Sequence, residues 1–259
     1  MNKKLSDLAA IMDRLREEDG CPWDRKQTHK SLKPYLIEEA YEVIEAIESG
    51  DDAALKEELG DLLYQVIFHS RLAKEKGKFG IEDVIAIVCE KMVRRHPHVF
   101  GDSSVKDSDE VLRKWEEIKQ AEKKRASILD GVPAQLPSLM RAMRLQEKAA
   151  RVGFDWSTSE DVWKKVEEEW EELQTARGRS NRNEMEEEIG DLIISLVNLG
   201  RFIGVDAEEA LKKSIKKFVR RFHAIEKEFA AKGKDITAAT LGEMEKIWVR
   251  AKEAERKEN

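Results

Sequence analysis

Ten carboxylates stand in two matched groups. Glu38, Glu39 and Glu42 are followed by Glu58 and Asp61, and Glu168, Glu169 and Glu172 are followed by Glu188 and Asp191. Glu39 and Glu42 are three residues apart, as are Glu58 and Asp61, so on helices each pair points from one face. Two such helices packed antiparallel would bring four carboxylates together in each group. Four anions at close range repel strongly unless a cation lies among them. Ligands that are all oxygen suit Mg2+, or Mn2+, rather than zinc. A lone Glu-x-x-Glu means little in a chain with 53 acids among 259 residues, because it is ordinarily a solvated helix face. Its recurrence beside an apolar stripe in both groups is what points to metal binding in at least one of them. Glu38 and Glu168 are the extra acids. Each is either surface charge or the group that orients or deprotonates an attacking water.

The elements that must position these acids also repeat. EEAYE at 38–42 and ELGD at 58–61 return as EEWEE at 168–172 and EIGD at 188–191, both shifted by 130 residues. Arg71 and Arg201 share that offset; KMVRR (91–95) returns as KFVRR (217–221), and Trp115 has a counterpart in Trp248. An aromatic-Asp element precedes each group, Pro22-Trp23-Asp24 in one and Phe154-Asp155-Trp156 in the other. This period is too long for a solenoid and reads as a duplicated domain. The expected division is 1–120, a connector over 121–140 marked by Gly131, Pro133 and Pro137, and 141–259. Helical spacing links Ile37, Tyr41, Ile44 and Ile47, and likewise Leu59, Leu62, Leu63 and Val66. In the second half it links Val166, Trp170 and Leu173, and Ile189, Leu192, Ile193 and Leu196. Ser31, Ser159 and Asp206 are candidate helix caps. The expectation is an all-α fold of two related helix-bundle domains, with four main helices in each and no strand.

Composition narrows the class. Charged residues reach 39%, apolar residues 41%, and only 14 Gly and 5 Pro are present. That disfavours a β-sandwich, which needs many turn residues, and a disordered chain, which lacks apolar ones. Cys21 and Cys89 form no CxxC, so neither a disulfide scaffold nor a thiolate zinc site is expected, and a cytoplasmic setting fits. No apolar run approaches a membrane span. The net charge of -6 gives no overall footprint for nucleic acid. A di-iron carboxylate bundle would use Glu-x-x-His pairs, and none occurs.

These motifs resemble the MazG family of nucleoside triphosphate pyrophosphohydrolases, whose signature is EExxE, a spacer, then ExxD. CPWD, RRHPHVFGD, SILDGVP and AARVGFDW also look like the tandem, two-domain members, and the match covers nearly the whole chain. The resemblance implies a helix-bundle active site, Mg2+ dependence, a homodimer, and hydrolysis of NTPs or dNTPs to the monophosphate and pyrophosphate in nucleotide-pool house-cleaning or regulation. It implies that Lys217 and Arg221 bind phosphates, that Trp248 stacks on a base, and that the second half is the active one. Without it, the Lys217 helix reads as a solvated basic surface and Trp248 as core. Lys165, one turn before Glu169, is a weaker phosphate ligand. Asn198, on the same face as Asp191, can bond a ribose or base, whereas its counterpart Phe68 cannot. The competing reading is a helical module that binds nucleotides or regulates without hydrolysis.

Overall fold

The computed structural model describes residues 3–122 and 127–258. Among them there is no strand, and the chain is all-α. The chain forms two compact units, 1–123 and 124–259. Of the expected connector, residues 123–126 lie outside the described residues.

The first unit contains α1 (Leu5–Leu15), α2 (Pro22–Lys26), α3 (Lys33–Ser49), α4 (Asp52–Glu75), α5 (Ile81–Arg95), α6 (Pro97–Phe100) and α7 (Ser108–Glu122). The second contains α8 (Ser138–Ala150), α9 (Ser159–Gly178), α10 (Arg182–Phe202) and α11 (Ala207–Ala231). A single 3-10 turn (Ile236–Ala238) and α12 (Leu241–Glu258) complete it. Among the described residues each unit thus has five helices of eleven residues or more, where four main helices were expected. α7 and α12 are mostly polar, so a search for apolar stripes passes over them.

Two hairpins dominate the packing, α3 with α4 and α9 with α10. Their connections are short, which forces antiparallel neighbours. Gly50 turns the first at φ 70, and Ser180 turns the second at φ 57, a left-handed conformation unusual for serine. Asp51 caps α4 by accepting from the N–H groups of Ala53 and Ala54; Asn181 caps α10 in the same way through Asn183 and Glu184. Asp206 caps α11 as expected. The expected caps at Ser31 and Ser159 are not formed. Thr158 caps α9 by accepting from Asp161 N, and Ser31 bonds within the turn to Thr28 and Gln27. A hydroxyl one residue off the cap position cannot reach the free N–H groups.

The cores are small. Met12, Leu32, Ile67, Phe68 and Leu72 form that of the first unit. Val162, Val166 and Leu199 form one cluster of the second, and Ile225, Phe229 and Ile247 another, between α11 and α12. The apolar stripes around the acids mostly face outward: Ile37, Tyr41, Ile47, Leu59, Leu63, Trp170, Ile189, Ile193 and Leu196 are all exposed.

Candidate functional site

The hairpins put the acids opposite one another. Glu169 and Asp191 lie eleven residues on either side of Ser180, and Glu172 and Glu188 lie eight. Equal distances from a tight turn place residues side by side in an antiparallel pair. Carboxylate oxygens of Glu169, Glu172 and Glu188 accordingly come within 4.8 Å of one another. The first unit repeats this around Gly50, and Glu39, Glu58 and Asp61 converge within the same limit.

Electrostatics differ between the two clusters. Glu169 is 5% exposed, and the Lys165 ammonium bridges it at 2.7 Å and Glu168 at 2.9 Å. Hydrogen bonds to Glu168 and Glu169 drive the Lys165 pKa upward. Tyr35 is the residue 130 positions before Lys165, so the first cluster lacks that cation. Glu39 instead accepts from Gln65 Nε2 at 3.3 Å, and burial, then the Asp61 and Glu42 charges, push its carboxyl upward against that bond. Glu58 is raised by burial and by Glu42 and Asp61.

Beside the second cluster opens a cleft of about 540 Å³, lined among others by Lys165, Glu169, Asp191, Asn198, Asp155 and Arg201. Four of the expected site residues therefore share one cavity. Glu168 joins them through Lys165, and Glu172 and Glu188 through Glu169. Lys217, Arg221 and Trp248 do not line it. Lys217 is exposed on α11. Arg221 bonds Glu255 of α12 at 2.7 Å and lies over the Trp248 ring, 5.5 Å from its centroid. Trp248 packs on Phe218 and on the α11–α12 core. Arg95 of α5 repeats the arrangement, bonding Glu122 at 2.5 Å.

The first unit has a cleft of about 530 Å³ lined by residues such as Asp13, Ser70 and Arg71 and by none of its acid cluster. Phe68 stands where the second unit has Asn198, is 1% exposed, and packs with Met12, Leu32 and Tyr64. The Arg16 guanidinium lies over its ring and bonds Glu75 at 2.6 Å and the carbonyl of Asp24. Glu38 is exposed on α3, beside Glu39.

Sequence reasoning missed Asp155, Arg201 and Phe154 as lining residues. Arg201 bonds both Asp155 oxygens, at 3.0 and 2.5 Å, and Asn198 Oδ1 at 3.1 and 2.8 Å. Their signal was present, since the aromatic-Asp element and the Arg71/Arg201 match both recur. Repetition alone does not say which partner an arginine takes: Arg71 pairs with Asp13 at 2.8 Å and Glu75 at 3.0 Å.

The acid cluster makes stability depend on pH. Burial first, then the Glu172, Glu169 and Asp191 charges, hold the Glu188 carboxyl above its ordinary value of 4.5. The folded state therefore favours its protonated form. That contribution is fully present below the ordinary value and is lost as pH rises through the raised one. In chelator-treated protein, Glu188→Gln is expected to raise the thermal midpoint at pH 7 and to have little effect at pH 4. A lowered midpoint at pH 7 would show that attraction, not repulsion, dominates around this carboxylate.

Comparison with known proteins follows the same division. A family model described as the MazG nucleotide pyrophosphohydrolase domain matches twice, over residues 27–100 and 157–225, each match enclosing one acid cluster. The chain is 48% identical over 248 residues to the nucleoside triphosphate pyrophosphohydrolase/pyrophosphatase MazG of Thermotoga maritima, covering 95% of this chain and 94% of that one. It is 46% identical over 254 residues to the nucleoside triphosphate pyrophosphohydrolase of Escherichia coli K12, covering 96% and 97%.

Proposed function

The chain belongs to the MazG family of nucleotide pyrophosphohydrolases, and we propose that its second unit carries the family's chemistry. The protein hydrolyses nucleoside triphosphates to the monophosphate and pyrophosphate. The observation that favours the second unit is the cleft: it opens beside Glu169 and Asp191, whereas the first unit's cleft is lined by none of its acid cluster and Phe68 is buried at the position of Asn198.

The acids fit a hard divalent cation. Their donors are all carboxylate oxygens, three of them within 4.8 Å, and burial, together with their mutual repulsion, pushes the Glu188 carboxyl above its ordinary value. Glu169, Glu172, Glu188 and Asp191 are the proposed ligands, and Mg2+, or Mn2+, the proposed ion. When bound, such an ion neutralises phosphate charge and lowers the pKa of coordinated water. The protein's own groups do the rest. Lys165 meets a phosphate oxygen. Glu168, exposed and hydrogen-bonded to Lys165, accepts the proton of the water that attacks as the bond to pyrophosphate breaks. Asn198 holds the nucleoside side of the substrate.

Lys217 and Arg221 keep their assignment to phosphates as part of this reading, although α11 places them outside the cleft's lining; the stacking of Trp248 on a base is not carried into it, its ring being packed on Phe218 and the α11–α12 core. The first cluster, Glu39, Glu42, Glu58 and Asp61 with Glu38 beside it, is read as a metal-binding and assembly counterpart without turnover. A homodimer would cover Trp170, Ile189, Ile193 and Leu196, which are exposed on α9 and α10. Leaving so much apolar area in water is costly. Ile193→Asp is expected to halve the mass seen in sedimentation equilibrium; an unchanged mass would remove this face as the interface.

No described helix is long and apolar enough to cross a membrane. The free Cys21 and Cys89 suit the reducing cytoplasm in which we place the protein. The direct test is pyrophosphate release from a panel of NTPs and dNTPs with Mg2+, Mn2+ or chelator. Activity undiminished by chelator would overturn the metal assignment, and orthophosphate alone would overturn the cleavage position.

A further inference from the structure

The loop between α8 and α9 holds an aromatic ring that packing does not explain. Phe154 lines the cleft yet is 82% exposed. It is nevertheless fixed at both ends. Its N–H bonds the carbonyl of Ala149 at the end of α8 at 3.1 Å, and the next residue, Asp155, is clamped by the Arg201 fork on α10. The same fork holds Asn198 Oδ1. With its oxygen committed, the Asn198 amide has its Nδ2–H2 donor left to offer a ligand.

We propose that Phe154 is the stacking face for the substrate's nucleobase, and that the Asp155–Arg201 ion pair holds Phe154 and the Asn198 donor in register as one nucleoside-binding unit. The inference rests on the second unit's cleft being the active one. Position supports it. Asp191, at the acid cluster, and Asn198 are seven residues apart on α10, or roughly 10 Å along the helix. That is the span from an α-phosphate across a ribose to a base. A nucleobase offers a π-face to an exposed ring and carbonyl or ring-nitrogen acceptors to an amide donor. The first unit has no such assembly: Phe68 replaces Asn198, and Arg71 holds Asp13 and Glu75.

Arg201 and Asp155 are positioning residues, since neither needs to touch the substrate. The reaction's two products separate the roles, because the monophosphate carries the base and pyrophosphate does not. In assays with ATP, GTP, CTP and UTP, Phe154→Leu is expected to raise KM and the inhibition constant of the matching monophosphate by roughly tenfold. The inhibition constant of pyrophosphate should rise far less. Phe154→Trp should recover monophosphate binding. Arg201→Met should show the same split, with kcat falling less than KM rises. Arg201→Lys should recover only part, because an ammonium lacks the fork that holds Asp155 and Asn198 together. Equal losses for monophosphate and pyrophosphate, or no loss for either, would overturn the proposal. Wild-type protein that releases no pyrophosphate from any NTP would remove the parent reading, and this inference with it.

Discussion

Asp191→Ala is expected to lower pyrophosphate release by at least about a thousandfold, equivalent to about 4 kcal/mol in the barrier. Asp191 lines the cleft and adds its charge to the group that raises Glu188. Without it the site loses a proposed metal ligand where the triphosphate's charge must be balanced. Removing a carboxylate from a repelling cluster should not unfold the chain, so circular dichroism should stay at the wild-type signal. Asp61→Ala removes the corresponding acid of the first unit, where Phe68 is buried at the position of Asn198, and should lose far less turnover. Equal losses from the two variants would mean that both units contribute to catalysis, and a reversed order would place the active site in the first unit.

Phe68→Ala carries the largest expected effect on stability. The ring is among the most buried side chains of the protein and sits at the centre of the first unit's core with Met12, Leu32, Ile67 and Leu72. Truncating a buried phenylalanine costs about 3–5 kcal/mol, the lost burial plus the cavity left behind. That is a large share of a domain's ordinary stability of about 5–15 kcal/mol. The urea transition of the first unit should move sharply to lower concentration, while steady-state turnover by the second unit in dilute buffer persists. Phe68→Asn recreates the second unit's residue, yet it should cost at least as much, because a carboxamide among Met12, Leu32 and Tyr64 has no partner of its own there. A mild effect from either substitution would show that this space is loosely filled and that the two units differ less than their cores suggest.

The acid constellation was legible in the sequence because helical spacing and a repeated offset both act over short stretches. Spacing put Glu169 with Glu172 and Glu188 with Asp191, and two short turns were enough to bring the pairs together. Asp155 and Arg201 were not legible as a pair, since they are 46 residues apart and join only once α10 has packed against the loop after α8. The apolar stripes were legible as periodicity, but not in direction. Ile193 and Leu196 belong to the same helical stripe as Leu192, yet the former two face out and Leu192 packs in. Nothing local distinguishes a residue awaiting a core from one awaiting another surface. The Arg221–Glu255 bond of 2.7 Å escaped for the same reason as Asp155 with Arg201: α12 had no apolar signature to announce it.

The mirrored placement of acids about Ser180 and Gly50 also fixes which changes of chain length the protein can accept. Adding one residue within either helix between the turn and the acids rotates everything beyond it by about 100°, turning carboxylates away from their partners. The same residue added within the turn must bulge outward or slide one helix along the other. Surface connections are usually where a fold accepts insertions most freely. Here the connection works as a ruler, and the interval of eleven and eight residues on each side is the quantity it measures.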